Sequence, residues 1–252
     1  MTRHYPGRGS GTPILTALRN LSFQVNKGEF VAIVGPSGCG KSTLLNLVAG
    51  LDRPSEGSVA LNGIQVSGPN PSVGFMLQKD LLLPWRTVVR NIEFGLEARN
   101  VSKAQRRARA LQELKRCRLT ELADRYPHQL SGGQRQRAAL ARTLAIDPGL
   151  VLFDEPFSAL DAQTKLVLQR SFAAMIASSG LTTLLITHDL SEAVAMSDRI
   201  LVMSDRPGRI VEEIDVGLPN REVPMDRLGT KRANEIIAHL FHALHIDERI
   251  DA

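Results

Sequence analysis

With 252 residues, 43% of them hydrophobic and 23% charged, the chain carries enough apolar material for a buried core, which excludes a predominantly disordered state. No apolar run approaches the length needed to span a bilayer, two cysteines (Cys39 and Cys117) cannot build a disulfide framework, and positions 1–11 lack the apolar stretch of a secretory signal, so a reducing, cytoplasmic setting is expected. The excess of 31 Lys+Arg over 26 Asp+Glu permits a phosphate-bearing ligand, nucleic acid or an anionic membrane surface, whereas 4% aromatics argues against a stacking platform for single strands.

Short apolar runs alternate with longer helical patterns, the order expected of an α/β domain. Strands are predicted at 21–25, 30–34, 59–61, 73–77, 151–153, 182–186 and 200–203, with 210–216 as an added edge strand. Residues 31–34 and 150–153 are apolar on both faces, as in parallel strands covered by helices. From about 79 to 148 the strand signal gives way to helix, where Ala104, Ala108, Leu111 and Leu114 predict a buried face and Arg106, Arg107, Arg109 and Lys115 a solvated one. Residues 218–226 read as a polar, proline-punctuated linker. Beyond them Ala233, Ile237, Leu240, Phe241 and Leu244 predict one apolar helix face.

The segment Gly35-Pro36-Ser37-Gly38-Cys39-Gly40-Lys41-Ser42 fits G-x-x-x-x-G-K-[ST], with an apolar strand before it and a helical pattern from Thr43 after it. Its glycines let successive N–H groups turn toward an anion, and the following helix start adds its positive dipole end. Lys41 would reach the terminal phosphates and the Ser42 hydroxyl would bind Mg²⁺. Cys39 occupies a variable position of the motif. By itself the loop leaves GTPases, kinases, helicases and transport ATPases open.

The apolar run 150–153 ends in Asp154-Glu155. Strand alternation turns neighbouring side chains in opposite directions, so the two carboxylates are expected to divide the work. One would hold Mg²⁺ and the other would take a proton from an attacking water. Upstream, Leu130-Ser131-Gly132-Gly133-Gln134 opens a helix, with Ser131 as a good N-cap and two glycines that bare the first N–H groups.

These motifs, with Gln78 after the run 73–77, Ser158-Ala159-Leu160-Asp161, and His188 after 182–186, stand in the order of one family. The chain resembles the ATP-binding subunit of an ABC transporter over nearly its full length. The resemblance implies a P-loop ATPase core with a mainly parallel sheet, an N-terminal antiparallel β part and an inserted helical subdomain. It implies one domain over 1–252: an α/β core at about 1–78 and 149–217, a helical subdomain at about 79–148, and a C-terminal linker and helix at about 218–252. ATP and Mg²⁺ are the implied ligands. Gln78 would sit near the metal and the attacking water, and Asp154 would help to hold Mg²⁺. Glu155 would be the base, and His188 would contact the γ-phosphate and orient Glu155 and water. Ser131, Gly132, Gly133 and Gln134 would bind the γ-phosphate of ATP held by a second copy, and Asp161 would lie at the subunit boundary. Tyr5 is the available adenine-stacking aromatic; it either stacks or frays into solvent.

The segment 82–88 (Leu-Leu-Pro-Trp-Arg-Thr-Val) followed by Asn91-Ile92 is similar to the importer ATPases for nitrate, sulfonates and taurine. So are Thr187-His188-Asp189, Glu192-Ala193 and Arg206-Pro207-Gly208-Arg209-Ile210. That group implies a homodimer of ATPase subunits, two transmembrane permease subunits, a periplasmic or lipid-anchored solute-binding protein acting indirectly, and a place on the cytoplasmic face of the inner membrane, with no nucleic acid partner. An exporter subunit and a soluble ABC-type ATPase acting on nucleic acid are the alternatives. Trp85, the single tryptophan, is either a docking anchor for a permease helix or a core aromatic of the helical part.

Overall fold

The computed structural model describes residues 1–6 and 13–244. In chain order its elements are β1 (Arg3–Tyr5), β2 (Leu15–Leu18), β3 (Phe30–Val34), α1 (Lys41–Ala49), β4 (Ala60–Leu61), β5 (Ile64–Gln65), β6 (Val73–Met76), α2 (Val88–Ala98), α3 (Lys103–Arg116), α4 (Gly132–Ala145), β7 (Leu150–Asp154), α5 (Ala162–Ser179), β8 (Thr182–Ile186), α6 (Leu190–Met196), β9 (Arg199–Met203), β10 (Ile210–Asp215), α7 (Pro224–Leu228) and α8 (Lys231–Ala243). The chain forms two compact units, one of Met1–Asn70 with the chain from Thr182 onward, the other Pro71–Leu181.

In the first unit β3 is central. It pairs in parallel with β8 (Ile33 opposite Ile186) and with β9 (Val34 opposite Val202), and β10 runs antiparallel along β9. All five residues of β3 are buried, which is why its sequence is apolar without alternation. Ala32 and Val34 pack with Val194 of α6 and with Ala233, Ile236, Leu240 and Leu244 around α8. Full burial of each Leu or Ile there contributes about 1.5–3 kcal/mol. The predicted face of α8 is corrected: Ile236 is buried, Ile237 is packed against its edge, and Phe241 is exposed. Residues 218–226 are also more than a linker, because α7 begins inside them with Pro224 at its first turn. Buried Arg227 fastens this stretch by donating to the Pro219 and Ser197 carbonyls.

β1 and β2 form the antiparallel N-terminal pair, and β4–β5 a short hairpin. The predicted strand at 21–25 is not one. Its first residue instead exchanges backbone bonds with the chain start, Leu21 N–H donating to the Met1 carbonyl at 2.9 Å and the Met1 ammonium donating to the Leu21 carbonyl at 2.7 Å.

In the second unit β6 and β7 pair in parallel, Met76 opposite Phe153. Helices α2, α3 and α4 pack on one another, and Phe172 of α5 meets Phe157 edge-on at 4.9 Å and Phe153 at a tilt at 5.7 Å. The predicted face of α3 is rotated. Its buried residues are Ala110, Glu113 and Leu114, while Ala104, Ala108 and Leu111 are exposed. Glu113 is 0% exposed because Arg109 and Arg116 hold its carboxylate at 3.2 and 3.1 Å, and a paired charge can be buried where a bare one cannot.

Parallel strands end at a common sheet edge, and in α/β folds that carboxyl edge is where ligands are received. In the first unit β3 and β8 deliver the loop 35–42 and His188 to this edge. In the second, β6 and β7 deliver Gln78 and Asp154-Glu155 to theirs.

Candidate functional site

The loop 35–42 leaves β3 and turns into α1 at Gly40, whose φ of 110° lies in the left-handed region open to glycine. A Cβ there would also stand 2.7 Å from Leu18 Cδ2 and 3.0 Å from the Ala17 carbonyl oxygen. Lys41 is 8% exposed, with its Nζ turned back into the loop to donate to the Gly35 and Pro36 carbonyls at 2.7 and 2.8 Å. An ammonium seated on carbonyl oxygens at a helix start suits an anionic phosphate chain. Ser37, Gly38 and Ser42 are exposed at the rim, and Thr43 is half-buried in the first turn of α1. The Cys39 thiol is buried, and loss of solvent pushes its pKa up against the opposing pull of Lys41.

His188 is exposed directly after β8. Asp189 caps α6 by accepting the Glu192 N–H at 3.0 Å, and the Thr187 hydroxyl accepts the Asp189 N–H at 3.0 Å, which fixes the backbone on either side of the histidine.

Tyr5 does not fray. It pairs with Leu15 in the β1–β2 ribbon, its hydroxyl donates to Asp52 at 2.8 Å, and the Arg3 guanidinium lies 4.4 Å above its ring. Arg3 in turn pairs with Asp52 at 2.8 Å. One face of the ring is therefore already covered by a cation.

In the second unit Asp154 ends β7 and Glu155 takes φ 47°, a left-handed backbone. This corrects the alternation argument: Glu155 lies past the strand, so the turn and not the pleat aims its side chain. The Ser158 hydroxyl donates to the Glu155 carbonyl at 3.0 Å and accepts Gln78 Nε2 at 3.2 Å. Gln78 is thereby tied to the backbone of the carboxylate turn.

Ser131 and Gln134 form a capping box at the start of α4, the Ser131 hydroxyl accepting the Gln134 N–H at 3.3 Å and the Gln134 side chain accepting the Ser131 N–H at 2.8 Å. Gly133 is required by packing more than by exposed N–H groups, since a Cβ there would stand 2.7 Å from Thr164 Cγ2 on α5. Gly132 faces Leu160. Asp161 caps α5 by accepting the Thr164 N–H at 3.0 Å, and that bond holds its carboxyl below the usual carboxylate range.

The sequence reading missed a clamp on the segment 78–87. Buried Asn91 accepts the Leu83 N–H at 2.7 Å and donates to the Leu83, Arg86 and Thr87 carbonyls at 3.0–3.1 Å. From α4, Arg142 donates to the Asp80 and Leu81 carbonyls, Arg135 bonds the Asp80 carboxylate, and Gln136 donates to the Gln78 carbonyl. An asparagine on the buried side of an amphipathic helix was the available signal. Trp85, held on this segment, is 72% exposed, which excludes a core role. It borders a groove of about 560 Å³ with Arg86, Arg90, Glu93, Arg107 and Tyr126.

Among the described residues no group of three or more His, Cys, Asp or Glu could hold a metal ion. Each of Ser42, Gln78 and Asp154 carries an oxygen donor of the kind a hard cation takes, a hydroxyl in the first unit and an amide oxygen and a carboxylate in the second.

The family model described as ABC transporter matches residues 18–158. The chain is 43% identical over 233 residues to the taurine import ATP-binding protein TauB of Yersinia pestis bv. Antiqua, covering 89% of this chain and 91% of that protein. It is 47% identical over 211 residues to the uncharacterized ABC transporter ATP-binding protein MJ0412 of Methanocaldococcus jannaschii, covering 84% and 78%. Among solved structures, a dimeric post-hydrolysis state of the ATP-binding cassette MJ0796 bound to ADP and Pi superposes with a TM-score of 0.73 at 35% identity, covering 85% of this chain and 96% of that one.

Proposed function

The chain belongs to the ABC transporter family as an ATP-binding, ATP-hydrolysing subunit, and on that premise we propose that it drives an importer for a small anionic solute such as a sulfonate, taurine, nitrate or bicarbonate. The importer reading draws on the identity with a taurine import protein along 89% of the chain. The nucleotide chemistry rests on one observation above the rest, the Lys41 ammonium seated on carbonyls inside its own loop.

In this reading Lys41 and the N–H groups of 35–43 hold the phosphates. Ser42, Gln78 and Asp154 would lend their oxygen donors to Mg²⁺, which would supply charge neutralisation at the phosphate oxygens. The Glu155 carboxylate accepts a proton from water, while His188 and Gln78 orient the reacting groups. Tyr5 offers adenine the ring face opposite Arg3. Ser131, Gly132, Gly133 and Gln134 of one copy bind the γ-phosphate of ATP held by the other, with Asp161 at their boundary, so that a two-fold dimer completes two sites at once. Two permease subunits dock through the groove at Trp85, which places the protein at the cytoplasmic face of the inner membrane. A solute-binding protein acts from the far side, and no nucleic acid is involved.

The test is nucleotide binding by the purified full chain. Lys41→Ala should lose most of its Mg²⁺-ATP affinity, and unchanged affinity contradicts the phosphate-loop assignment.

A further inference from the structure

The turn that follows β9 meets the loop 35–42 at more than one point. Arg206 donates Nε–H and Nη2–H to the Gly38 carbonyl at 3.1 and 2.8 Å. Two residues on, Gly208 lies so close that a Cβ there would overlap the Cys39 carbonyl oxygen. The turn is itself braced. Gly208 N–H donates to the Ala17 carbonyl at 2.9 Å, Arg19 N–H donates to the Gly208 carbonyl at 3.0 Å, and Ser204 N–H donates to the Arg209 carbonyl at 3.0 Å. A guanidinium held on a braced turn can fix what it grips.

What it grips is one half of the Gly38–Cys39 peptide. That bond is trans, so the plane carries the Gly38 carbonyl and the Cys39 N–H in opposite directions. With the carbonyl drawn out toward Arg206, the Cys39 N–H points the other way and donates to the Pro36 carbonyl at 3.4 Å, a long bond whose acceptor a phosphate oxygen would replace. The same carbonyl receives Lys41 Nζ at 2.8 Å. Two forked N–H groups on one oxygen constrain the peptide plane, which a single ammonium donor does not.

We infer that Arg206 is a positioning residue for the phosphate loop: it orients the Gly38–Cys39 peptide so that the Cys39 N–H is presented to the phosphates of the bound nucleotide. This rests on reading the loop as the nucleotide site. Arg206 thus acts through the backbone, outside the loop motif itself.

The test uses the purified full chain and its Arg206→Ala and Arg206→Lys variants, with ATP turnover, thermal midpoint, and the Cys39 amide resonance of the nucleotide-free protein as readouts. Arg206→Ala should raise KM for ATP about tenfold, the order expected for losing hydrogen bonds from a charged donor, with kcat within about twofold and the midpoint little changed. The Cys39 amide should shift more than the other loop amides. Arg206→Lys keeps the charge without the fork and should recover only part of the KM. Three results overturn the inference: wild-type KM in Arg206→Ala, wild-type KM in Arg206→Lys, or a fall in kcat and midpoint at unchanged KM. If Arg206→Ala does not fold, Arg206→Lys decides alone, a raised KM supporting the role and a wild-type KM refuting it. Lys41→Ala separates the two levels. Retained affinity there refutes the nucleotide reading, whereas lost affinity there with wild-type behaviour in Arg206→Ala refutes this inference only.

Discussion

The Thr187 N–H donates to the Ile33 carbonyl at 3.3 Å, extending the parallel β3–β8 ladder to its last residue. One position later the chain exposes His188, so the imidazole and the loop 35–42 leave neighbouring strands at one sheet edge of the first unit. A residue that orients reacting groups needs this kind of rigid base, since small displacements cost large factors in rate.

His188→Ala should therefore lower ATP turnover by about 10²–10³-fold, in the range of a lost acid–base or orienting group. Nucleotide affinity should stay near wild type if, as proposed, the phosphates are held by 35–43. Turnover assays paired with a fluorescent-nucleotide titration measure both quantities. Full turnover would remove His188 from the mechanism.

Trp85 and Asn91 separate an exposed anchor from the clamp beneath it. Trp85→Ala should change stability by no more than about 0.5 kcal/mol, as expected for an exposed side chain. It should weaken assembly with the permease subunits by about 2 kcal/mol, the scale of an interface anchor. Asn91→Ala should weaken assembly too, but also cost about 1–3 kcal/mol of folding stability, since it leaves the Leu83 N–H without its acceptor and removes the amide donor shared by the Leu83, Arg86 and Thr87 carbonyls. Denaturant titration and co-purification distinguish them. A strongly destabilised Trp85→Ala contradicts the docking role.

The parts legible in the sequence were those that write themselves in consecutive residues. β3 and β7 are apolar on both faces because both faces are buried, and loop 35–42 shows its motif in eight consecutive residues, where the tight turn into α1 requires Gly40. The signals that failed depend on partners far along the chain. The apolar spacing of α3 suggested Leu111, but the buried side carries Glu113, whose charge is tolerable only beside Arg109 and Arg116. The strand at 21–25 has suitable residues and no ladder, since its Leu21 bonds Met1 instead. The strand expected at 59–61 contains β4, but its hairpin partner β5 has two residues, too few to alternate. The hairpin's Asn62-Gly63 turn, both residues at positive φ, was the signal to follow. The turn at Glu155 leaves no periodic trace, and the clamp leaves only Asn91 on the buried side of α2.

Both thiols should resist alkylation in the folded protein. Burial pushes Cys117 from its ordinary 9.0 up to about 12, and pushes Cys39 up as well, so neither is a thiolate at pH 8. Because the folded pKa of Cys117 is raised, its contribution to stability is fully present below pH 9.0 and is lost as the pH climbs toward about 12. Iodoacetamide labelling followed by mass spectrometry should find both cysteines unmodified at pH 8 and both modified after unfolding. Rapid native labelling of Cys117 would contradict its burial.

In the dimer proposed above, two copies share two ATP molecules, each held by the phosphate loop of one copy and by Ser131–Gln134 of the other. Glu155→Gln keeps the ligands and removes the base, so the dimer should form with ATP and fail to separate. Adding Ser131→Arg places a bulky cation at the capping box and should abolish that dimer while each monomer still binds ATP through Lys41. Sedimentation velocity with Mg²⁺-ATP reads the outcome directly. The account predicts a persistent dimer for Glu155→Gln and monomers for the double variant, and a dimer that survives unchanged with Ser131→Arg would contradict it.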